Sequence, residues 1–311
     1  MLFSNRLQTK NPLPNSKFGG VQIGTITYSF RSMPGSAEDI LKYCLQSGIG
    51  AIELMGDPAE AFAGSPAGLN PPMTAPLPGS QPPVFTAEMR KAREERGLKA
   101  RGWRETVAMD KFIDLRNMYN KAGVSIYAYK PDALGERNTD AEIEYAMKAA
   151  KALGATSVTV ELPSNTAQSK RLGDIAAKYG IYVGYHAHTQ ATDTAWDEAL
   201  SQSPFNSMNL DCGHYIAAGE KNTKESLLAL IAAKHERISS VHLKDRKTKD
   251  HGGANMEWGK GDTPIKEILL LMKKNQYQFP ASIELEYEVP QGSDAVQEVT
   301  KCVAFSREIL K

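Results

Sequence analysis

Asn209-Leu210-Asp211-Cys212-Gly213-His214 and, further along, Val241-His242-Leu243-Lys244-Asp245 are the stretches whose reading decides the fold. In each, an apolar run ends in an acid or an imidazole and gives way to polar residues, which is how a buried strand delivers a side chain to its own end. Successive strand side chains point to opposite faces, so Asp211 and Cys212 diverge, as do His242 and Leu243, while Asp211 and His242 can converge. Two more runs close in the same manner, Val158-Thr159-Val160-Glu161 and Ser282-Ile283-Glu284-Leu285-Glu286. Glu161, Asp211, His242 and Glu284 then offer three carboxylates and one imidazole. That donor set suits a hard divalent ion, Mn²⁺ or Mg²⁺, better than thiolates would, and zinc also fits. Singly, a strand-end glutamate is usually a solvated rim residue and a lone histidine a satisfied core group. The recurrence of the pattern is what gives it weight.

Outward from these stretches the chain alternates strand and helix. Val21–Tyr28 is a β-rich run, and Ser36–Gln46, with Ile40, Leu41, Cys44 and Leu45 at helical spacing, is a helix closed by Ser47-Gly48. Ile49–Leu54 is the second strand, with Glu53 near its end. Prolines 58, 66, 71, 72, 76, 78, 82 and 83 then make a regular element between Asp57 and Pro83 improbable, and we read a partly ordered lid there. Helices are expected over Thr86–Arg96 and Thr106–Lys121, with Trp103 and Arg104 between them. Strands follow at Val124–Tyr129, Thr156–Glu161, Ile181–His186, Asn206–Asp211, Ile238–Lys244 and Ala281–Glu286. The intervening helices run over Thr139–Leu153, Thr166–Tyr179, Ala195–Leu200, Lys224–Ala233, Pro264–Lys274 (Thr263 as N-cap) and Asp294–Leu310. The domain division is an N-terminal arm over residues 1–20 and one barrel over 21–311, with 57–105 inserted on its catalytic face.

Such a beat predicts an α/β fold, a (β/α)₈ TIM barrel with a Pro-rich insertion after strand 2. An open doubly wound sheet fits less well, because no GxGxxG follows the first strand. In a barrel the C-terminal strand ends share one face, which gathers Glu161, Asp211, His242 and Glu284. At 311 residues and 41% hydrophobic content, one domain accounts for the chain. Lys and Arg number 37 against 36 Asp and Glu, so no broad basic surface invites nucleic acid or an anionic membrane. Three cysteines without CxxC spacing suggest neither a thiolate site nor a disulfide framework. No apolar run approaches the ~20 residues that span a bilayer. The expected location is the cytoplasm, or the periplasm if an export signal has been removed.

VTVELP, NLDCGH, VHLKD and SIELE, in this order on successive strands, resemble the xylose isomerase-like TIM barrels, the superfamily of sugar phosphate isomerases and epimerases. The likeness runs over Val21–Leu310. It implies one divalent metal ion held by Glu161, Asp211, His242 and Glu284, with Mn²⁺ or Mg²⁺ favoured and Zn²⁺ or Co²⁺ allowed. Glu286, two residues beyond Glu284 on the same face, is the alternative to it as ligand. The His186-Ala187-His188 segment resembles the family's His-x-His, which lines the pocket or binds substrate, and His188 is the stronger candidate. His214 resembles a substrate-hydroxyl contact. Lys244 and Asp245 are candidates for orienting His242 or touching substrate, and Glu53 joins the substrate-binding set. Trp258-Gly259-Lys260-Gly261-Asp262 resembles a Gly-x-Gly loop, with Lys260 where relatives commonly carry an acid. Tyr28, Tyr129 and Trp103 are core residues first and pocket-lining candidates second.

The expected chemistry is removal of a proton beside a carbonyl, through an enediolate, on a small ketose or polyol, with Glu161 and Glu284 as the acid–base pair. The expected partner is a small carbohydrate, with a homo-oligomer allowed. The alternatives are a metal-dependent lyase or dehydratase on an oxidised sugar or keto-glycoside, and a non-catalytic sugar-binding barrel. A nuclease fits poorly with the neutral charge.

Overall fold

The computed structural model describes residues 13–73 and 86–311. Eight parallel strands form the barrel: β1 (Val21–Ile26), β2 (Ala51–Met55), β3 (Ser125–Lys130), β4 (Ser157–Glu161), β5 (Tyr182–His186), β6 (Asn206–Asp211), β7 (Ile238–Leu243) and β8 (Ala281–Ile283). Each pairs with its neighbour in chain order, and β8 pairs back onto β1 to close the barrel. A short strand, Lys17–Phe18, folds back antiparallel on β1 at the end opposite the site. No helix among the described residues is long and apolar enough to cross a membrane. Cys44, Cys212 and Cys302 are free thiols, all buried.

The helices pack outside, apolar face inward. Ala37–Ser47 buries Ile40, Leu41 and Cys44 but leaves Leu45 exposed; burying Ile40 or Leu41 is worth roughly 1.5–3 kcal/mol each. Its first turn is capped by Ser36, whose hydroxyl accepts from the Asp39 N–H, and it stops at Gly48 in the left-handed conformation, φ +74°. The barrel interior is filled by side chains. The Tyr127 hydroxyl crosses it to donate to Ser282 Oγ at 2.7 Å, and Gly24 leaves the necessary room: a Cβ there would sit 2.6 Å from the Tyr127 ring.

Four local expectations change, and a fifth falls outside the described residues. Gly56–Phe62 is helical despite the prolines, because Pro58 falls in the first turn, where its missing N–H costs no hydrogen bond. Residues 74–85, which carry Pro76, Pro78, Pro82 and Pro83 and most of the expected lid, lie outside the described residues. Trp103 and Arg104 do not separate two helices; one helix runs Ala87–Thr106 and the next Asp110–Lys121. Its last turn is pinned from outside, by Arg104 on Glu60 and by Trp103 against the Tyr145 ring at 5.9 Å. The ladder of β8 stops at Ile283: the Glu284 N–H still reaches Leu243 O, but the Leu285 N–H turns to Ser29 Oγ. Finally, helix Ile265–Asn275 starts without a side-chain cap, since Thr263 Oγ1 is taken by the Arg246 N–H at 3.0 Å.

Candidate active site

Register brings the strand ends level: Asp211 lies beside His242, and His186 beside both Glu161 and Asn209. Asp211 ends β6 and also caps helix Cys212–Ala218, its Oδ1 accepting from the His214 N–H at 2.7 Å. Its other oxygen, Oδ2, is fully buried, outside any hydrogen bond, and ion-paired with Lys244 Nζ at 3.0 Å. His242 is buried between two acids: Nε2 lies 2.8 Å from Glu53 Oε2, and Nδ1 lies 3.1 Å from Glu284 Oε2. His186 Nδ1 is 2.7 Å from Asn209 Oδ1, so the Nδ1–H donates there and Nε2 is left to accept. One ligand atom each from His186, Asp211, His242 and Glu284 falls within 4.8 Å of the others, all four residues being buried.

The electrostatics follow from burial among unlike charges. Burial opposes the charge on His242, but Glu53 and Glu284 outweigh it and raise its pKa to about 10. Glu284 is held well below its ordinary range, burial being overcome by Lys244 and His242. Burial raises Asp211, with Lys244 offsetting only part of the cost. His186 is driven down by burial and by the cations Lys130 and His242. Two buried carboxylates so close together call for a cation beside them, and the Lys244 ammonium stands 3.0 Å from Asp211 Oδ2 and 2.7 Å from Glu284 Oε2. The donor chemistry fits a divalent ion: carboxylate and imidazole atoms, and a Glu53 carboxylate behind His242 of the kind that fixes a ligating ring. In that arrangement Nδ1 of His242 faces the cluster and Nε2–H donates to Glu53.

A model of the xylose isomerase-like TIM barrel matches residues 41–305. The chain belongs to that family. No curated protein matches it by sequence. Solved structures of the same fold cover nearly the whole chain at low identity. The Escherichia coli 3-keto-D-glucoside 4-epimerase is 14% identical, with a TM-score of 0.59, covering 93% of this chain and 99% of its own. A probable 3-DHS dehydratase from Bacillus anthracis is 15% identical, with a TM-score of 0.61 and coverage of 91% and 98%. A Mycobacterium smegmatis family protein in complex with magnesium is 13% identical, with a TM-score of 0.54 and coverage of 93% and 96%.

Within this xylose isomerase-like frame, the other residues singled out by the sequence take different places. Glu161 stands apart from the buried group. Its side chain is 50% exposed, accepting from Lys130 Nζ at 3.0 Å and lying 3.3 Å from His188 Nδ1. The reason is local: Lys130, at the end of the neighbouring β3, and His188, just past β5, draw the carboxylate to the rim. His188 is half exposed, its ring 4.6 Å from that of His214. His214 lies between two cations, Lys244 Nζ at 3.0 Å and Arg246 Nη1 at 2.6 Å, and its pKa is pushed to about 2 by burial and then by Lys244. The hydrogen bonds of Asp245 go to a loop and not to His242. Asp245 accepts from the backbone N–H groups of Gly259, Gly261 and Thr263, so it fastens the Gly-x-Gly loop, and a Cβ at position 261 would fall 2.0 Å from its Oδ1. Lys260 points to the surface and pairs with Glu257. Tyr129 is buried and bonded to Tyr145, while Tyr28 is stacked under Arg31.

Sequence reading passed over Asn209, Lys130 and Arg246. Asn209 sits two residues before Asp211, on the same strand face, and its Nδ2 donates to Ser240 Oγ at 2.8 Å and Glu53 Oε2 at 3.3 Å. That two-residue spacing was the available signal.

Proposed function

We propose that this protein is a divalent-metal-dependent sugar isomerase or epimerase that moves a proton beside a carbonyl on a small ketose or polyol. The observation that carries the reading is the buried group of His186, Asp211, His242 and Glu284, with Glu53 holding the His242 ring. A magnesium complex of a family member agrees with it. Bound by that group, a divalent ion would polarise substrate oxygens and lower the cost of the negative charge that develops on them. Glu161, on the rim and open to solvent, takes the proton from carbon, and Lys130 and His188 aim its carboxylate. Glu284, buried within the ligand group, is the second carboxylate of the pair. His188 and His214 hold substrate hydroxyls, and burial of the floor keeps water from the enediolate.

The likeness to a probable dehydratase supports a second reading, in which the same proton abstraction is followed by loss of a group from the next carbon. His188, half exposed above the cluster, is placed to protonate such a leaving oxygen.

Elemental analysis of purified protein, beside Asp211→Asn and His242→Ala, comes first. Incubation with ketoses and keto-glycosides in D₂O follows. Near-stoichiometric divalent metal that falls in both variants, with solvent deuterium entering beside the carbonyl, is the expected result. An unsaturated product would favour the lyase. Wild-type protein that is folded, free of metal and unable to bind any would sink the reading.

A further inference from the structure

The cradle already contains a cation. Lys244, 2% exposed, brings Nζ to 3.0 Å from Asp211 Oδ2 and 2.7 Å from Glu284 Oε2, two carboxylates of the buried ligand group. The same ammonium lies 2.7 Å from Glu286 Oε2 and 3.0 Å from His214 Nε2. Its stem lies in a bed made for it: a Cβ on Gly213 would stand 2.3 Å from Lys244 Cγ, so only glycine at the start of helix Cys212–Ala218 lets the lysine pass. An ammonium and a divalent ion cannot both sit against these two oxygens, since each needs their lone pairs and the two repel at close range.

We propose that Lys244 is the resident cation of the metal-free cradle, displaced outward toward Glu286 when a divalent ion enters, so that it sets the metal affinity of the site. The inference rests on the metal-dependent reading above. Glu286 is suited to receive the ammonium. It lies outside the buried ligand group, its side chain is 20% exposed, and it already touches Nζ. A flexible four-carbon stem lets the ammonium give up Asp211 and Glu284 while keeping Glu286, which a rigid guanidinium could not do as readily. Glu286 is then the lysine's outer seat and not a metal ligand. Without the metal, the ammonium offsets the mutual repulsion of Asp211 and Glu284, so the metal-free protein stays folded.

The test is titration of chelator-stripped protein with Mn²⁺ at fixed pH and ionic strength, following free Mn²⁺ by its electron paramagnetic resonance signal. Lys244→Met is expected to bind Mn²⁺ about tenfold or more tightly than wild type, and Glu286→Gln several-fold more weakly, because the displaced ammonium loses its seat. Lys130→Met is the control. It removes a cation that touches Glu161 and acts on Glu284 and His186 only through space, so it is expected to tighten Mn²⁺ binding by at most about threefold, well short of Lys244→Met. Metal-free Lys244→Met is also expected to melt at a lower temperature than metal-free wild type. Affinity that is unchanged or weaker in Lys244→Met overturns the inference while leaving the metal reading in place, as does equal tightening by Lys130→Met. Should Lys244→Met fail to fold, unchanged or tighter binding by Glu286→Gln overturns it. No Mn²⁺ bound by wild type or any variant overturns both.

Discussion

Among the described residues, a cluster of buried charge beside the insertion and another at the barrel mouth are finished differently. Beside the insertion, Arg104 forks onto Glu60, with Nε 2.9 Å from Oε1 and Nη2 3.0 Å from Oε2. Its Nη1 donates to Asp132 O, and Tyr145 adds a hydroxyl to Glu60. Every oxygen of Glu60 is used. At the barrel mouth, by contrast, Asp211 Oδ2 and Glu53 Oε1 are buried with no hydrogen bond, and a lysine stands among three acids. A closed ion pair fastens structure; an open one keeps coordination positions for something that arrives later. The first ties helix Ala87–Thr106 to the helix after β2, and the second leaves buried carboxylate oxygens without a hydrogen bond.

The comparison breaks most sharply at Asp211. Asp211→Asn keeps shape but removes the charge of the open oxygen, and turnover is expected to fall on the order of 10³-fold with loss of bound metal. Its urea midpoint should move little; steady-state rates, elemental analysis and denaturation together check this. Arg104→Met does the opposite. It leaves Glu60 charged and buried without its partner, and is expected to cost about 3–5 kcal/mol in urea unfolding while metal affinity stays put. Adding Glu60→Leu should recover part of that loss, since Glu142, 3.5 Å from Arg104 Nη1 and buried, loses the same partner.

A smaller effect separates rim from floor. Glu161→Gln is expected to lower turnover about 10²-fold while leaving metal content near that of wild type; a parallel loss of metal would instead return Glu161 to the ligand set. The smallest expected change lies away from both clusters. Ser36→Ala removes the cap on helix Ala37–Ser47 and should cost about 1 kcal/mol in thermal unfolding, with neither metal nor activity altered. That variant gives the scale for an ordinary structural contact.

Much of this was legible in order along the chain. The period-two runs and helical spacings placed the eight barrel strands, and the helix stops at Gly48, Gly154 and Gly180 are all left-handed residues in the structure. Convergence of Asp211, His242 and Glu284 followed from the side-chain alternation of strands, because a closed parallel barrel puts all C-terminal strand ends on one face. These are short-range properties: propensity, periodicity and turn chemistry act within a few residues, so the sequence carries them by itself.

What the tertiary structure decided is which neighbours each polar group chose. Glu161 ends its strand just as Asp211 does, yet it turns to Lys130 and His188, residues supplied by the adjacent β3 and by the loop after β5. Glu53 became the acid behind His242, and Lys244 the cation among Asp211, Glu284 and Glu286, through contacts between side chains far apart in sequence. Asp245, next in line to Lys244, fastened a glycine loop instead. Coulomb attraction and desolvation act through space over several ångströms and across every strand at once. A linear pattern therefore fixes where a charge emerges, and only the closed barrel fixes what it meets.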